Sequence, residues 1–261
     1  MSDLLQALVL GIVEGLTEFL PVSSTGHLLI AEHLMDSSRS EFFNIGIQSG
    51  AILAVVLVFK DRLLGLARGY SDPVQRDYLL KLCGAFLVTA IGGLLVKKLG
   101  FTLPEAVRPI AIALIVGGVA ILAIERVMAS RPEVATVTWA AALWVGASQI
   151  VAGVFPGTSR SAATIFSAML AGVTLRAAAT EFAFLVGIPT MFAATAFDLF
   201  KMRHAGFAGE DWPAFAVAFL AAAVVAFISV KWLLRYVVGH RFTVFAWYRI
   251  VAGIALLLFV H

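Results

Sequence analysis

The chain has 261 residues, 61% of them hydrophobic and only 13% charged, with a mean hydropathy of +0.97 and a formal net charge of +3. A soluble domain is roughly 45–50% apolar and about 25% charged, so this composition excludes a water-soluble globular protein and reads as a polytopic membrane protein. The small positive surplus fits cytoplasmic loop charge rather than a nucleic-acid footprint, and the single cysteine, Cys83, cannot form an intrachain disulfide.

In chain order, residues 2–20 form a helical apolar segment that carries Glu14 and Glu18. Four apart, the two carboxylates share one helix face, a turn from each other. Pro21 cannot continue the ladder and disfavours helical geometry at Leu20, so the helix should end there. A polar loop, Val22 to Thr25, leads to a second short arm, 26–36, with His27 at its start; Ser23, Ser24 or Thr25 would cap it. Two short arms about such a loop read as a re-entrant hairpin. Full spans, each about 20 residues, are expected at 41–59, 79–96, 109–125, 177–199, 213–234 and 243–260. A polar loop is expected over 60–78, and Lys201, Arg203 and His204 close the fourth span. A second hairpin, 138–155 and 160–172, flanks the loop Phe155 to Arg160. No cleavable leader is expected, since the first residues lack a basic region and the first apolar segment carries two glutamates.

The second hairpin repeats the first. The shift that carries Gly11 onto Gly146 also carries Glu14 onto Gln149, Pro21 onto Pro156 and Ser24 onto Ser159, and Glu41-Phe42 is echoed by Glu181-Phe182. Each half, 1–130 and 131–261, is then one hairpin plus three spans. Three is odd, so the second half enters from the opposite side, as in inverted-repeat membrane proteins whose broken helices meet near the midplane. The expected fold is therefore all-α: a single membrane domain over 1–261, an inverted repeat with six full spans and two re-entrant hairpins.

The chemistry sits in the two loops. Helix breaks at membrane depth are tolerated only where protein or a wet cavity satisfies the backbone, and ionisable groups there mark a functional site by default. In Phe155 to Thr164, Thr158 and Ser159 can cap the next helix, whose N-terminus suits phosphate. Arg160 adds a planar fork matched to phosphate oxygens, unless it pairs with a carboxylate instead. In the first loop, Glu14 and Glu18 would repel each other without a divalent metal or a shared proton. Ser24 and His27, three apart, make a nucleophile–base pair feasible.

The stretches Glu14 to His27 (EGLTEFLPVSSTGH) and Pro156 to Thr164 (PGTSRSAAT) resemble the undecaprenyl-pyrophosphate phosphatases, bacterial integral membrane enzymes also called bacitracin-resistance proteins. The resemblance covers essentially the whole chain. It implies hydrolysis of undecaprenyl pyrophosphate to undecaprenyl phosphate, the lipid carrier for cell-wall glycan, with a divalent cation (Mg2+ or Ca2+) at Glu14 and Glu18. It implies Glu14, Glu18, Ser24, His27 and Arg160 as catalytic residues. Ser23, Thr25, Ser159, Arg160, Ser161 and Thr164 would bind substrate. Ser24 and His27 are both open as the group that takes the phosphoryl. One departure is Ala162, where the family usually has glycine. The partners implied are a polyprenyl pyrophosphate and membrane lipid, no nucleic acid, and a homodimer is possible. The rival reading is a transporter or flippase of the polyprenyl phosphate carrier, because inverted repeats with broken helices also serve alternating access.

Charge bias gives an orientation. Between the six spans, one side carries Arg39, Lys97, Lys98, Arg108, Lys201 and Arg203. The other carries Lys60, Arg62, Arg68, Arg76, Lys81, Arg126, Arg131, Arg176, Lys231, Arg235 and Arg241. The richer side is cytoplasmic. Both termini are then expected in the periplasm of a bacterium whose inner (plasma) membrane holds the chain. The resemblance favours a site opening outward, where the lipid pyrophosphate is left by glycan polymerisation. Arg160 and Arg249 lie inside membrane segments and are not part of this tally.

Overall fold

The computed structural model describes residues 2–37, 39–100, 106–202 and 211–259, and among these the only regular elements are α-helices. Arg203 and His204, expected to close the fourth span, lie outside the described residues. The chain opens with two short helices, α1 (Asp3–Thr17) and α2 (Ser24–Leu34). They are followed by α3 (Glu41–Val58), α4 (Lys60–Arg68), α5 (Pro73–Lys98) and α6 (Val107–Met128). A second short pair, α7 (Trp139–Val154) and α8 (Arg160–Leu170), precedes α9 (Arg176–Met202), α10 (Trp212–Gly239) and α11 (Thr243–Phe259).

Helix starts follow local chemistry. Asp72 accepts from the Val74 N–H ahead of Pro73, Asp211 accepts from Ala214, and Thr138 accepts from Ala141. Each side chain satisfies one of the amides that a helix N-terminus leaves unpaired. Among the described residues four helices, α5, α6, α9 and α10, are each long and apolar enough to cross a membrane. At 1.5 Å per residue, the 11 residues of α2 or α8 reach only about 17 Å, well short of the roughly 30 Å hydrocarbon core. Large apolar side chains such as Leu87, Ile91, Val116, Leu220, Val224 and Val251 stay exposed along the long helices. In a chain of this composition that outward face belongs to lipid, and the chain is an integral membrane protein.

The segment expected as a polar loop, 60–78, is instead mostly helical: α4 fills Lys60–Arg68, bent 62° from α3, and α5 has begun by Pro73. The charges at Lys60, Asp61, Arg62 and Arg68 mask a short amphipathic pattern. Leu63 and Leu66 turn inward onto the main core, while Leu64 faces out. Arg62 donates to Glu181 at 2.8 Å and so ties α4 to the start of α9. At the same end, Arg176 gives Glu125 two hydrogen bonds, of 3.0 and 2.5 Å, and the Phe242 N–H gives it a third at 3.0 Å, which pins α6, α9 and the start of α11 together.

Small residues let the helices approach at backbone distance, the usual way helices associate where lipid removes the hydrophobic drive. The short helix α1 lies in a stripe on α10 made by Ala214, Ala218, Ala222 and Ala226. A Cβ at Gly11 would stand 2.3 Å from the Ala218 carbonyl oxygen. The other short helix, α7, packs on α5 in the same manner, with a Cβ at Gly146 falling 2.5 Å from the Ala85 carbonyl oxygen. Beyond these two, α3 packs on α10, α5 on α9, and α6 on α11. The loops that end α1 and α7 are thereby brought together in the interior.

Candidate active site

Both loops turn through backbone conformations that side chains rarely adopt. Ser23 has φ 76° and ψ 97°, and Ser159 has φ 71° and ψ 113°. Each is the N-cap of the short helix that follows, and such geometry costs on the order of 1–3 kcal/mol per residue unless the surroundings impose it. The sequence repeat had matched Ser24 with Ser159. In the backbone Ser23 takes the corresponding place, because the second loop is one residue longer past its proline. Ser24 and Arg160 therefore occupy the matching first positions of α2 and α8.

Those two side chains meet on one carboxylate. Ser24 Oγ donates to Glu18 Oε2, and Arg160 Nη2 donates to Glu18 Oε1 at 2.5 Å. Glu18 is 6% exposed, whereas Arg160 is partly open. The residue placed to take a proton from Ser24 is thus Glu18. His27 has both ring nitrogens engaged elsewhere. Nδ1 faces the Ser23 carbonyl oxygen at 2.7 Å and must donate to it, and Nε2 lies 2.6 Å from the Tyr248 hydroxyl on α11. The sequence spacing that paired Ser24 with His27 is overridden by the twist at Ser23, which turns His27 toward α11.

The remaining expected residues divide by what their polar atoms do. Ser159 Oγ accepts from the Ala162 N–H at 3.3 Å, so it is the cap foreseen for α8. Ser161 Oγ donates to the Leu20 carbonyl oxygen at 2.9 Å and ties α8 to the first loop. Thr164 is buried, and the proton of its hydroxyl is given to the Arg160 and Ser161 carbonyls of its own helix. Ser23, Ser24, Thr25, Ser159, Arg160 and Glu18 all border a cavity of about 720 Å³ between α5, α7 and α9. Apolar side chains, among them Phe86, Leu94, Ile150 and Phe197, line its walls. It extends to Lys97 and Asp198, which pair at 3.4 Å at the partly exposed ends of α5 and α9.

Glu14 is 1% exposed and no hydrogen-bond donor reaches either of its oxygens. A buried carboxylate in that condition requires a proton or a cation. Among the described residues no three His, Cys, Asp or Glu side chains are grouped to hold a metal ion. A cation such as Mg2+, however, is commonly held by one or two carboxylates completed by substrate phosphates and waters. The orphaned Glu14 beside Glu18 fits that mode.

Arg249 is a buried charge at the two loops that the sequence analysis set aside. It is fully buried, and its guanidinium donates to five carbonyl oxygens. They are Pro21 at 3.3 Å in the first loop, Gly157 at 3.0 Å and Thr158 at 3.1 Å in the second, and Ala113 and Leu114 of α6 at 3.1 and 3.4 Å. Gly117 makes room for it, since a Cβ there would fall 2.1 Å from the guanidinium. A cation in an apolar helix was the signal that could have found it.

This two-loop site can be set beside known proteins. The family described as bacitracin resistance protein BacA matches residues 7–255. A protein named undecaprenyl-diphosphatase from Stenotrophomonas maltophilia is 62% identical over 259 residues, covering 99% of this chain and 98% of the relative. Proteins of the same name from Rhizobium johnstonii and Xanthomonas oryzae pv. oryzae are 60% and 58% identical, covering 98% and 99% of this chain and 96% and 97% of theirs. With Glu18, Ser24 and Arg160 joined at an apolar-walled cavity and a match of this extent, the chain belongs to the bacitracin resistance protein BacA family.

Proposed function

We propose that the chain hydrolyses undecaprenyl pyrophosphate to undecaprenyl phosphate and inorganic phosphate, and so regenerates the lipid carrier for cell-wall synthesis. The observation that carries this reading is the junction of Ser24 and Arg160 on Glu18 at the inner end of an apolar-walled cavity. The relatives' name supplies the substrate. The diphosphate meets Arg160, whose fork matches phosphate oxygens, and the isoprenoid lies along the apolar wall. As Ser24 Oγ bonds to the terminal phosphorus, its proton passes to Glu18 and leaves with the lipid phosphate. Water then attacks the phosphoserine. Its proton returns through Glu18 to Ser24 Oγ, and its other hydrogen departs on inorganic phosphate. A divalent cation, Mg2+ or Ca2+, held by Glu14 and Glu18 would neutralise charge on the diphosphate. His27 keeps the Ser23 turn in place through its bond to the carbonyl oxygen. Phosphate release from undecaprenyl pyrophosphate in detergent tests the reading. Wild-type protein releases phosphate, Ser24→Ala does not, and vanadate binds within bonding reach of Ser24 Oγ. No release by the wild type refutes the activity, and a vanadate adduct on His27 transfers the nucleophile to that residue.

The topology proposed is the inverted repeat of 1–130 and 131–261, with six spans at α3, α5, α6, α9, α10 and α11 and hairpins at α1–α2 and α7–α8. The packing of α1 on α10 and of α7 on α5, with α3 on α10 and α9 on α5, is what exchange of the two halves would produce. The orientation proposed has both termini in the periplasm of the inner membrane. The cavity runs toward the C-terminal ends of α5 and α9, which in this orientation face the periplasm, so the site opens there. With Cys83 replaced, a cysteine at Ser2 should react with an impermeant maleimide in intact cells, and one at Ser71 should not. The opposite labelling pattern inverts the orientation.

A further inference from the structure

Gln149, on α7, is 4% exposed and borders the same cavity as Glu18 and Arg160. Its amide orientation is fixed by its neighbours. The Thr89 hydroxyl donates to the Ala85 and Gly146 carbonyls at 3.0 and 2.9 Å, and the Thr190 hydroxyl donates to the Val186 carbonyl at 2.9 Å. Each hydroxyl has one proton, so toward Gln149 both can only accept. They do so from Nε2, at 3.0 and 3.4 Å. Oε1 is then turned away from the threonines, and no donor reaches it. A buried amide oxygen without a donor costs about 1–3 kcal/mol, so it calls for a ligand that gives a proton.

The space for that ligand is present. Besides the large cavity, a space of about 20 Å³ lies against Gln149, Glu18, Arg160, Ser161 and Thr164. That is enough for a single water, which needs on the order of 10–15 Å³ and two or more polar partners. Gln149, Glu18 and Arg160 border both spaces, so a water held there abuts the position assigned to the phosphoryl group.

We propose that Gln149 Oε1 binds and orients the water that hydrolyses the phosphoryl group, with Thr89 and Thr190 as positioning residues for its amide. The inference rests on the phosphatase reading above. The water oxygen bonds to phosphorus as the bond from phosphorus to Ser24 Oγ breaks. One hydrogen passes to Glu18 and on to Ser24 Oγ, and the other, held by Gln149, leaves on inorganic phosphate. A neutral glutamine serves well because it fixes the water by accepting a hydrogen bond without taking its proton, as water-orienting glutamines do in nucleotide hydrolysis.

The test uses the full chain in detergent with undecaprenyl pyrophosphate, with and without added methanol. Methanol has one hydroxyl hydrogen, which Glu18 takes, so its attack does not use Gln149. Gln149→Leu should lower kcat for inorganic phosphate by about 10²-fold at nearly unchanged KM. It should also raise the ratio of methyl phosphate to inorganic phosphate by a similar factor. Thr89→Val should act in the same direction more weakly, and add little to Gln149→Leu. A lower rate with an unchanged product ratio overturns the proposal, because a packing defect slows both nucleophiles alike. An unchanged kcat overturns it as well. Should methanol never compete even in the wild type, a raised KM or a loss shared with thermal stability overturns it, and a fall in kcat alone supports it. Failure of the wild type to release phosphate refutes the phosphatase reading itself and is seen before any variant is compared.

Discussion

Glu18→Gln is expected to lower kcat by about 10³-fold or more, with the detergent-solubilised protein still folded. The substitution keeps the side-chain volume and can keep a hydrogen bond to Ser24. It removes the negative charge that accepts the Ser24 proton and pairs with Arg160. Loss of a general base alone costs roughly 10²–10⁴-fold, and the freed Arg160 would also bind the diphosphate less productively. The fold should survive because Arg160 borders the cavity and is partly open to it, so water there can solvate the unpaired guanidinium. Glu14→Gln should cost less. Glu14 receives no hydrogen bond that an amide would break, and its repeat counterpart is already Gln149. Phosphate release and thermal unfolding, measured on both variants, check this. A Glu18→Gln rate within a few-fold of wild type would remove Glu18 from the reaction.

Arg249 should show the second large effect, through the shape of the site. Three of its five bonds go to loop carbonyls, those of Pro21, Gly157 and Thr158. Each of these stranded in a buried site costs about 1–3 kcal/mol, so Arg249→Met should lose at least about 3 kcal/mol. In a chain of this size that shifts Tm downward by at least about 6 °C. Arg249→Lys retains the charge, but three donors on one nitrogen cannot span both loops and α6. It should fold, with kcat lowered by about 10²-fold, because an error near 1 Å in the relative position of the two loops separates Ser24 from the bound phosphoryl group. Thermal unfolding and turnover of the two variants decide the matter. A wild-type rate for Arg249→Lys would show that the loops hold their geometry without the guanidinium fork.

Much of the architecture is local and was therefore readable in the chain. Long continuous apolar runs, without the alternation of barrel strands, call for membrane helices, whose backbone polar groups are satisfied within the segment. Pro21 and Pro156 mark the breaks, since proline removes a donor wherever it stands. Of the two motifs, Glu18, Ser23, Ser24, Ser159 and Arg160 are gathered at one cavity, which Glu14 does not line. What the sequence could not assign was which of these groups touch. Ser24 lies nearer in sequence to His27, yet it bonds Glu18, because one rarely adopted φ at Ser23 redirects the helix that follows. Arg160 reaches Glu18 across 142 positions of chain, and Arg249 reaches Pro21 across 228. Those distances close only after α1 has settled on α10 and α7 on α5, through glycine and alanine contacts that resemble any other apolar run when read singly. The charged helix α4 was hidden for the opposite reason: its polar residues are conspicuous, and its buried Leu66 acquires meaning only from the core it meets. Local chemistry thus set where the chain spans and where it breaks. The pairing of Glu18 with Ser24 and Arg160, the turning of Gln149 Oε1 away from its threonines, and the clamp at Arg249 were decided by packing, because each depends on the direction of a side chain relative to an element far away in sequence.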